Sequence, residues 1–285
     1  MLAAELRAAY LRRLGVEAEP PSLNALQRLH RAQVERVPYE TMWIHAGEAW
    51  GIDVEDSVER IAQGGRGGYC FHLNGAFSEL LWSLGYTVTR HVGGVHGPGG
   101  PTDAEMTNHL VLSVSELPTD DHPAGTWYVD AGLGDAMHEA LPLRAGSYQE
   151  GPFRLSLEGA PGATGDWHLT HDPGGSFTGM SWRAAPATMA DFAVRHEWLS
   201  TAPESGFVRV ASAQRRDATG VDSMRGLMLS RVGAGSGPPQ ALTERADWFT
   251  ALADVFGLHL TGRSADRLWD RCLAAHEAWQ NKPDP

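Results

Sequence analysis

Apolar residues recur at every third or fourth position in several segments of the first 84 residues, and this spacing predicts amphipathic helices. The predicted helices cover residues 3–14, a segment that begins after Ser22, residues 54–62 and residues 70–84. Ser22 is a favourable N-cap residue, and Gly15 and Gly85 stand where glycine commonly ends a helix. The first part of the chain is therefore predicted to be mainly helical.

The hydrophobic pattern changes after Gly85 to the alternation and β-branched composition typical of strands. Strands are predicted at residues 86–95, 108–114, 126–130, 153–157, 167–170 and 177–182. Gly- and Pro-rich turns separate them, so this region is predicted to form an antiparallel sheet or barrel. The remaining chain predicts a helix at 189–199, strands at 207–213 and 224–232, and helices at 243–256 and 264–279, the last capped by Ser264.

Composition and charge limit the classes of protein to which the chain can belong. The 285 residues are 42% hydrophobic and 20% charged, which is ordinary for a globular protein long enough to bury a large core. The formal net charge of −12 and the lack of a basic run argue against a nucleic-acid partner. With two cysteines, no apolar run of roughly 18 to 20 residues and no signal-like start, we expect a reduced, cytoplasmic protein without a membrane partner.

Cys70 is the first candidate for chemistry. It follows a run with four glycines in residues 64–68 and begins the predicted helix 70–84. The positive end of a helix dipole favours a thiolate, which is the nucleophilic form of cysteine. The alternative is a small buried core residue, which is the commoner role of cysteine. Cys272, inside a predicted helix with no glycine turn before it, is expected to be such a core residue.

A thiol nucleophile needs a base and a third group that orients the base. His109 precedes the apolar strand residues 110–112, and Asp130 ends the strand 126–130 just before a glycine-rich turn. If these strands are neighbours, the carboxylate can reach the imidazole. Placement alone leaves this Cys/His/Asp triad a spatial hypothesis.

The run Arg66-Gly67-Gly68-Tyr69-Cys70, with Asn74 four residues on, resembles the active-site signature of the arylamine N-acetyltransferases. Further similarity lies, in the same order as in that family, at residues 10–15, 37–40, 108–112 and 129–134. The matches cover about the first half of the chain, and the second half matches weakly.

The resemblance implies that Cys70 is the nucleophile, His109 the base and Asp130 its orienting partner, in a papain-like arrangement. It implies an α+β fold with a helical domain at 1–85 carrying the cysteine, an antiparallel β-barrel domain at 86–200 carrying His109 and Asp130, and an α/β lid at 201–285. It also implies a two-step reaction without metal. The Cys70 thiolate takes the acetyl group of acetyl-coenzyme A (acetyl-CoA), and an arylamine or hydrazine then accepts it. Neither the oligomeric state nor the coenzyme-binding residues follow from the sequence.

Two alternatives stay open at this stage. An amide synthase of natural-product biosynthesis would use the same triad on a carrier-bound acyl thioester, and a non-enzymatic binding module would keep only the fold. The loop 96–106 and the segment 233–239 are candidates for the rim of the pocket.

The resemblance further implies a buried charged network of Arg13, Glu40 and Arg66, with the carboxylate between the two guanidinium groups. The chain departs from the family at two positions. His72 stands where Glu is common, and Leu133 stands where Phe is common. These two departures affect the identity of the acyl donor and acceptor more than they affect the thiol chemistry.

Overall fold

The structure is a computed structural model that describes residues 2–102, 105–162 and 165–281. Within these residues the helices are α1 (Ala4–Leu14), α2 (Leu23–Arg36), α3 (Met42–Ala46), α4 (Val54–Ala62), α5 (Cys70–Ser83), α6 (Ala193–Thr201), α7 (Gly206–Arg209), α8 (Arg245–Phe256) and α9 (Gly262–Gln280). A 3₁₀ turn, Met189–Phe192, precedes α6.

The strands fall into two antiparallel sheets. In chain order they are β1 (Tyr39–Glu40), β2 (Thr87–His96), β3 (His109–Ser115), β4 (Trp127–Val129), β5 (Leu141–Pro142), β6 (Gly146–Glu150), β7 (Phe153–Gly162), β8 (Gly165–Thr170), β9 (Gly179–Pro186), β10 (Ser212–Asp217), β11 (Gly220–Arg225), β12 (Met228–Gly233) and β13 (Gln240–Ala241). The mixture of helices and antiparallel sheets confirms the predicted α+β class.

The larger sheet has eight strands in the order β5-β4-β3-β2-β9-β8-β7-β6 and forms a nearly closed barrel. The register of its strands brings the predicted base His109 close to the predicted carboxylate Asp130. Gly93 on β2 lies opposite His109, the first residue of β3, and Leu112 on β3 lies opposite Val129, the last residue of β4. Asp130 directly follows β4, so it lies at the end of the sheet where β3 begins.

Helix α5 runs through the middle of the largest apolar core. Its residues from Cys70 to Ser78 are all buried, and it packs against α4, β2 and β3. Gly85, with a φ of 94°, ends the helix in a left-handed conformation that glycine adopts without strain. The nucleophile candidate is thus held at the start of a rigid, fully packed element.

The smaller sheet, β1-β10-β11-β12-β13, joins the N-terminal region to the C-terminal one, because β1 pairs with β10. A second apolar cluster packs α3, α8 and α9 around it. No helix in the described ranges is long and apolar enough to cross a membrane. The domain boundaries after residues 85 and 200 stay predictions.

Three predicted elements are wrong in detail. The strand expected at 207–213 begins as helix α7, because Ser205 accepts a hydrogen bond from the Phe207 N–H at 3.2 Å and starts a helical turn. The strand expected at 224–232 is two strands, since Gly226 has a φ of 56° and reverses the chain. Thr261 occupies the N-cap position of helix α9 without a side-chain capping hydrogen bond, three residues before the predicted cap Ser264.

Candidate active site

The glycines before α5 are required by close packing. A Cβ atom on Gly67 would lie 1.8 Å from the Pro38 carbonyl oxygen, and one on Gly68 would lie 2.6 Å from His72 Nδ1. Gly68 also has a φ of 105°, which other residues rarely adopt. The turn therefore delivers Tyr69 as N-cap and Cys70 as the first residue of α5.

His72 replaces the family's usual Glu with a neutral helix cap. The Tyr69 N–H donates to His72 Nδ1 at 3.3 Å, and His72 Nε2–H donates to the Gly51 carbonyl oxygen at 3.2 Å. A Glu side chain at this third helical position normally accepts the same hydrogen bond from the N-cap N–H. Complete burial, with smaller contributions from Arg60 and His196, holds the pKa of His72 well below its usual range. The substitution keeps the cap and removes a charge.

The structure brings the three predicted site residues together at the junction of α5, β3 and β4. His109 Nε2–H donates to Asp130 Oδ2 at 2.7 Å, which leaves Nδ1 for the Cys70 thiol. The Cys70 S–H points to the Asn108 carbonyl oxygen at 3.6 Å. Burial lowers the pKa of His109, but the charges of Asp130 and Cys70 and hydrogen bonds to both raise it to about 10. A charged imidazole beside sulfur favours the thiolate.

Asp130 is completely enclosed by donors. Its Oδ2 also accepts from the Tyr128 hydroxyl at 2.9 Å, and its Oδ1 accepts from Asn74 Nδ2 at 2.8 Å and the Gly132 N–H at 2.9 Å. A carboxylate with its lone pairs occupied in this way is held in one orientation. It can therefore hold the His109 ring in a single tautomer.

Asn74 fastens α5 to the strands that carry the other two residues. Its Nδ2 donates to the Leu110 carbonyl oxygen at 2.6 Å as well as to Asp130, and its Oδ1 accepts from the Ala131 N–H at 2.9 Å. The sequence analysis identified Asn74 as part of the motif around Cys70 but assigned it no function. One turn separates it from Cys70, so it lies on the same face of the helix, and that spacing was the available signal.

Tyr128 and His30 were missed by the sequence reasoning. Tyr128 precedes Asp130 by two residues on a strand, so both face the same side, which was a usable signal. His30, fully buried on α2, accepts from the Asp130 N–H through Nε2 at 3.3 Å and donates through Nδ1 to the His138 carbonyl oxygen at 3.0 Å. No local pattern indicates that contact, because 100 residues separate the partners.

Gly132 allows the turn after β4 to approach the nucleophile. A Cβ atom there would lie 2.7 Å from Cys70 Cα and 2.8 Å from Cys70 Cβ. The turn also carries Leu133, which lines a cavity of about 570 Å³ together with Cys70 and His109. Leu133 thus lines the cavity at the position where the family commonly has Phe.

Both apolar and polar side chains line the cavity. The apolar ones include Val95, Phe177, Leu199 and Phe207, and the polar ones include Ser212, Gln214 and Ser223. From the predicted rim loop 96–106, Glu105 lines the cavity, while residues 103 and 104 lie outside the described residues. Val232 is the last residue along the chain that lines the cavity. The predicted rim segment 233–239 therefore does not line it.

The predicted network around Glu40 is only partly correct. Arg66 holds the fully buried Glu40 with two hydrogen bonds, Nε to Oε1 at 2.8 Å and Nη2 to Oε2 at 3.2 Å. The second partner is Glu48, 3.4 Å from Arg66 Nη1, and Arg13 forms no ion pair with Glu40 in the described residues. Arg13 lies in the last turn of α1, with its guanidinium near Gly257 instead. The network is one guanidinium between two carboxylates.

We expect Glu40→Gln to destabilise the fold by about 3 to 5 kcal/mol, because it leaves the Arg66 charge buried with only the longer Glu48 contact. Chemical unfolding followed by circular dichroism measures this change. Glu48→Gln is the matched control. Its side chain is 24% exposed, so we expect a loss of about 1 kcal/mol or less. Equal losses in the two variants would contradict the assignment.

Cys272 lies in the apolar cluster of α3, α8 and α9, as predicted for a core residue. Burial raises the pKa of its thiol to about 12, with Arg271 opposing the shift. A thiol held neutral in this way is a poor nucleophile. In the described residues Cys70 is therefore the cysteine suited to chemistry.

Acid should weaken the fold through buried neutral histidines. Burial lowers the pKa of His30 and His72, so these rings stay neutral when folded but bind protons when unfolded. Their stability contribution is complete above about pH 6.5 and is lost below it, by up to about 1.4 kcal/mol per pH unit and histidine. His109 has the opposite shift, so its contribution is complete below about pH 6.5 and is lost as the pH rises from there to about 10.

The free energy of unfolding, measured between about pH 7.5 and about pH 5.5, checks this prediction. The variant His72→Gln keeps hydrogen-bonding groups but cannot titrate. Its free energy of unfolding should therefore fall less steeply than that of the wild type as the pH is lowered. An unchanged slope in that variant would show that His72 is not the neutral, buried group described above.

Comparisons with known proteins bear on this site. A family model described as "N-acetyltransferase" matches residues 22–265. The chain is 26% identical over 236 residues to the arylamine N-acetyltransferase, pineal gland isozyme NAT-3, of Gallus gallus, covering 76% of this chain and 79% of that protein. The Mycobacterium marinum arylamine N-acetyltransferase in complex with CoA has a TM-score of 0.81 at 25% identity, over 94% of this chain and 98% of that one. The arylamine N-acetyltransferase of Nocardia farcinica has a TM-score of 0.80 at 27% identity, over 94% and 95%.

The family match covers most of the chain, which defines the protein as an enzyme that transfers acyl groups. Taken with the relatives and the solved structures, it shows that the chain belongs to the arylamine N-acetyltransferase family. The resemblance read from the signature around Cys70 is confirmed.

Proposed function

We propose that the protein transfers the acetyl group of acetyl-CoA to an arylamine or hydrazine through a thioester on Cys70. The observation that carries the proposal is that Cys70 and His109 line one cavity of about 570 Å³, while His109 donates to the buried Asp130 at 2.7 Å. The M. marinum relative in complex with CoA supports the choice of donor. The arylamine relatives support the choice of acceptor.

In the first half-reaction the Cys70 thiolate attacks the carbonyl carbon of the acetyl thioester. The new S–C bond forms as the CoA sulfur leaves, and the His109 imidazolium gives that sulfur its proton. Cys70 is the first residue of α5, so its backbone N–H has no acceptor within the helix. That N–H is placed to stabilise the tetrahedral oxyanion.

In the second half-reaction the neutral His109 removes a proton from the attacking amine. The amine nitrogen bonds to the acetyl carbon, the Cys70 sulfur leaves as thiolate, and the charged His109 pairs with it again. Asp130 stabilises the imidazolium in both halves without taking its proton. The resting pair is thereby restored, and the products are an amide and free CoA.

The test is turnover of acetyl-CoA with a simple arylamine, followed by the release of the CoA thiol. We expect a stoichiometric burst of CoA without acceptor and continuous release with it. If release occurs only with an acyl group on a carrier protein, the amide synthase is correct. If Cys70 also reacts with iodoacetamide no faster than an ordinary thiol near neutral pH, the protein is a binding module.

A further inference from the structure

The residues on both sides of Cys70 are held by one segment at the start of α6. The Tyr69 hydroxyl lies 2.5 Å from His196 Nδ1, and the Phe71 ring packs on the Phe192 ring with the ring centres 5.0 Å apart. Tyr69 and Phe71 are both fully buried. Phe192 and His196 are four residues apart, a spacing that places two side chains on one face of a helix. The first turn of α5 is therefore held from outside the helix.

His196 uses both of its ring nitrogens in hydrogen bonds. Its Nε2–H donates to the Trp50 carbonyl oxygen at 2.8 Å. Burial lowers the pKa of His196, opposed by that bond and assisted by the charge of Arg60, so the ring is neutral above about pH 6.5. A neutral imidazole with its proton on Nε2 accepts at Nδ1. The Tyr69 hydroxyl is therefore the donor in the bond to His196, and neither nitrogen is left to take a proton from a substrate.

Aromatic side chains fix the ring of Tyr69. Trp43 stacks on Tyr69 with ring centres 6.0 Å apart and an interplanar angle of 21°, and on Trp50 with centres 5.1 Å apart and an angle of 6°. The Arg66 guanidinium lies 4.8 Å from the centre of the Trp50 ring. The ring of Tyr69 is thus packed independently of its hydroxyl, so Tyr69→Phe removes the bond to His196 and leaves that packing in place.

These two side chains act on the active site through the backbone. Neither Tyr69 nor His196 lines the cavity at Cys70. The Tyr69 carbonyl oxygen accepts from the N–H groups of His72 and Leu73 at 2.9 and 3.0 Å, which makes the Tyr69–Cys70 peptide the first of the helix. In a trans peptide the N–H points opposite to the C=O, so the Cys70 N–H points out of the helix end. This is the N–H assigned above to the oxyanion.

We propose that His196 is a positioning residue that, through Tyr69, holds the first turn of α5 and so fixes the direction of the Cys70 N–H toward the oxyanion. This rests on the function proposed above. Helix ends fray when they are not held. A donor that moves stabilises the transition state less, because it must match the position of the developing oxyanion. His196 therefore affects acyl transfer, whereas the ionisation of the thiol depends on His109.

Two reagents for Cys70 separate these effects. With 4-nitrophenyl acetate the thiolate attacks the ester carbonyl, an S–C bond forms through a tetrahedral oxyanion, and nitrophenolate leaves. With iodoacetamide the same thiolate displaces iodide and no oxyanion forms. In Tyr69→Phe we expect the rate constant of acylation to fall by about 10-fold to 100-fold. The rate constant of alkylation, measured from about pH 6 to about pH 9, should change by less than about 2-fold.

Tyr10→Phe is the matched control. Tyr10 is also fully buried, and its hydroxyl donates to Gln33 Oε1 at 2.9 Å in a contact between α1 and α2. This variant should leave both rate constants unchanged. His196→Asn keeps an amide oxygen close to the position of Nδ1 and should retain more of the acylation rate than His196→Leu. Tyr69→Phe added to His196→Leu should cost nothing further, because the two groups act through one bond.

Equal losses of acylation and alkylation in Tyr69→Phe would assign the bond a general structural role and overturn the inference. Unchanged acylation in that variant, or an equal loss in Tyr10→Phe, would overturn it as well. If Tyr69→Phe does not fold, the two His196 variants give the same comparison. A wild type that does not turn over acetyl-CoA, with the difference between the two reagents kept, would overturn the proposed function but not this inference.

Discussion

Cys70→Ala is expected to abolish acetyl transfer, with a loss of roughly 10⁴-fold or more in kcat/KM, because the proposed mechanism forms its covalent intermediate on the Cys70 sulfur. The replacement removes one buried sulfur at the start of α5 and leaves the bonds among Asn74, Asp130 and His109 in place. Activity must therefore disappear while circular dichroism and the unfolding transition stay close to those of the wild type.

Cys272→Ala is the control for this variant. Cys272 lies among apolar side chains around α9, so its loss should cost about 1 kcal/mol of stability and leave kcat/KM unchanged. A Cys70→Ala protein that still turns over, or a Cys272→Ala protein that is folded and inactive, would contradict the choice of nucleophile.

Asp130→Asn is expected to lower kcat by about 10³-fold to 10⁴-fold, since an amide cannot hold the His109 ring in the required tautomer. The pKa of His109, raised to about 10 with Asp130 as a main cause, should fall as well. Iodoacetamide alkylation of Cys70 measured against pH reports both effects. The imidazolium that favours the thiolate should be lost at a lower pH than in the wild type.

Tyr128→Phe is the graded control for the same carboxylate. It removes one of the four donors to Asp130 and leaves the charge, so we expect a loss of about 10-fold or less. If Tyr128→Phe and Asp130→Asn were equally damaging, the hydrogen-bond network as a whole would matter more than the charge of Asp130.

Local signals predicted the centre of the site. The glycine run before Cys70 and the apolar spacing after it are properties of neighbouring residues, and they correctly indicated a turn that opens a helix. His109 and Asp130 were placed at strand ends by the same kind of pattern. Pairing of β3 with β4 then brings them together, because strands joined by a short connection are commonly neighbours.

The rest could not be predicted because it depends on contacts between distant parts of the chain. Strand β1 pairs with β10 across more than 170 residues, which no periodic pattern indicates. The second partner in the charged network is Glu48, which contacts Arg66, and not Arg13 beside Glu40; this contact joins residues 18 positions apart.

The most direct measurement of the central claim is peptide mass spectrometry after mixing the protein with acetyl-CoA in the absence of an amine. The account predicts one added acetyl group on the peptide that contains Cys70, released as amide when an arylamine is added. An unmodified Cys70 alongside continuing acetyl transfer, or acetylation of Cys272 in its place, would contradict it.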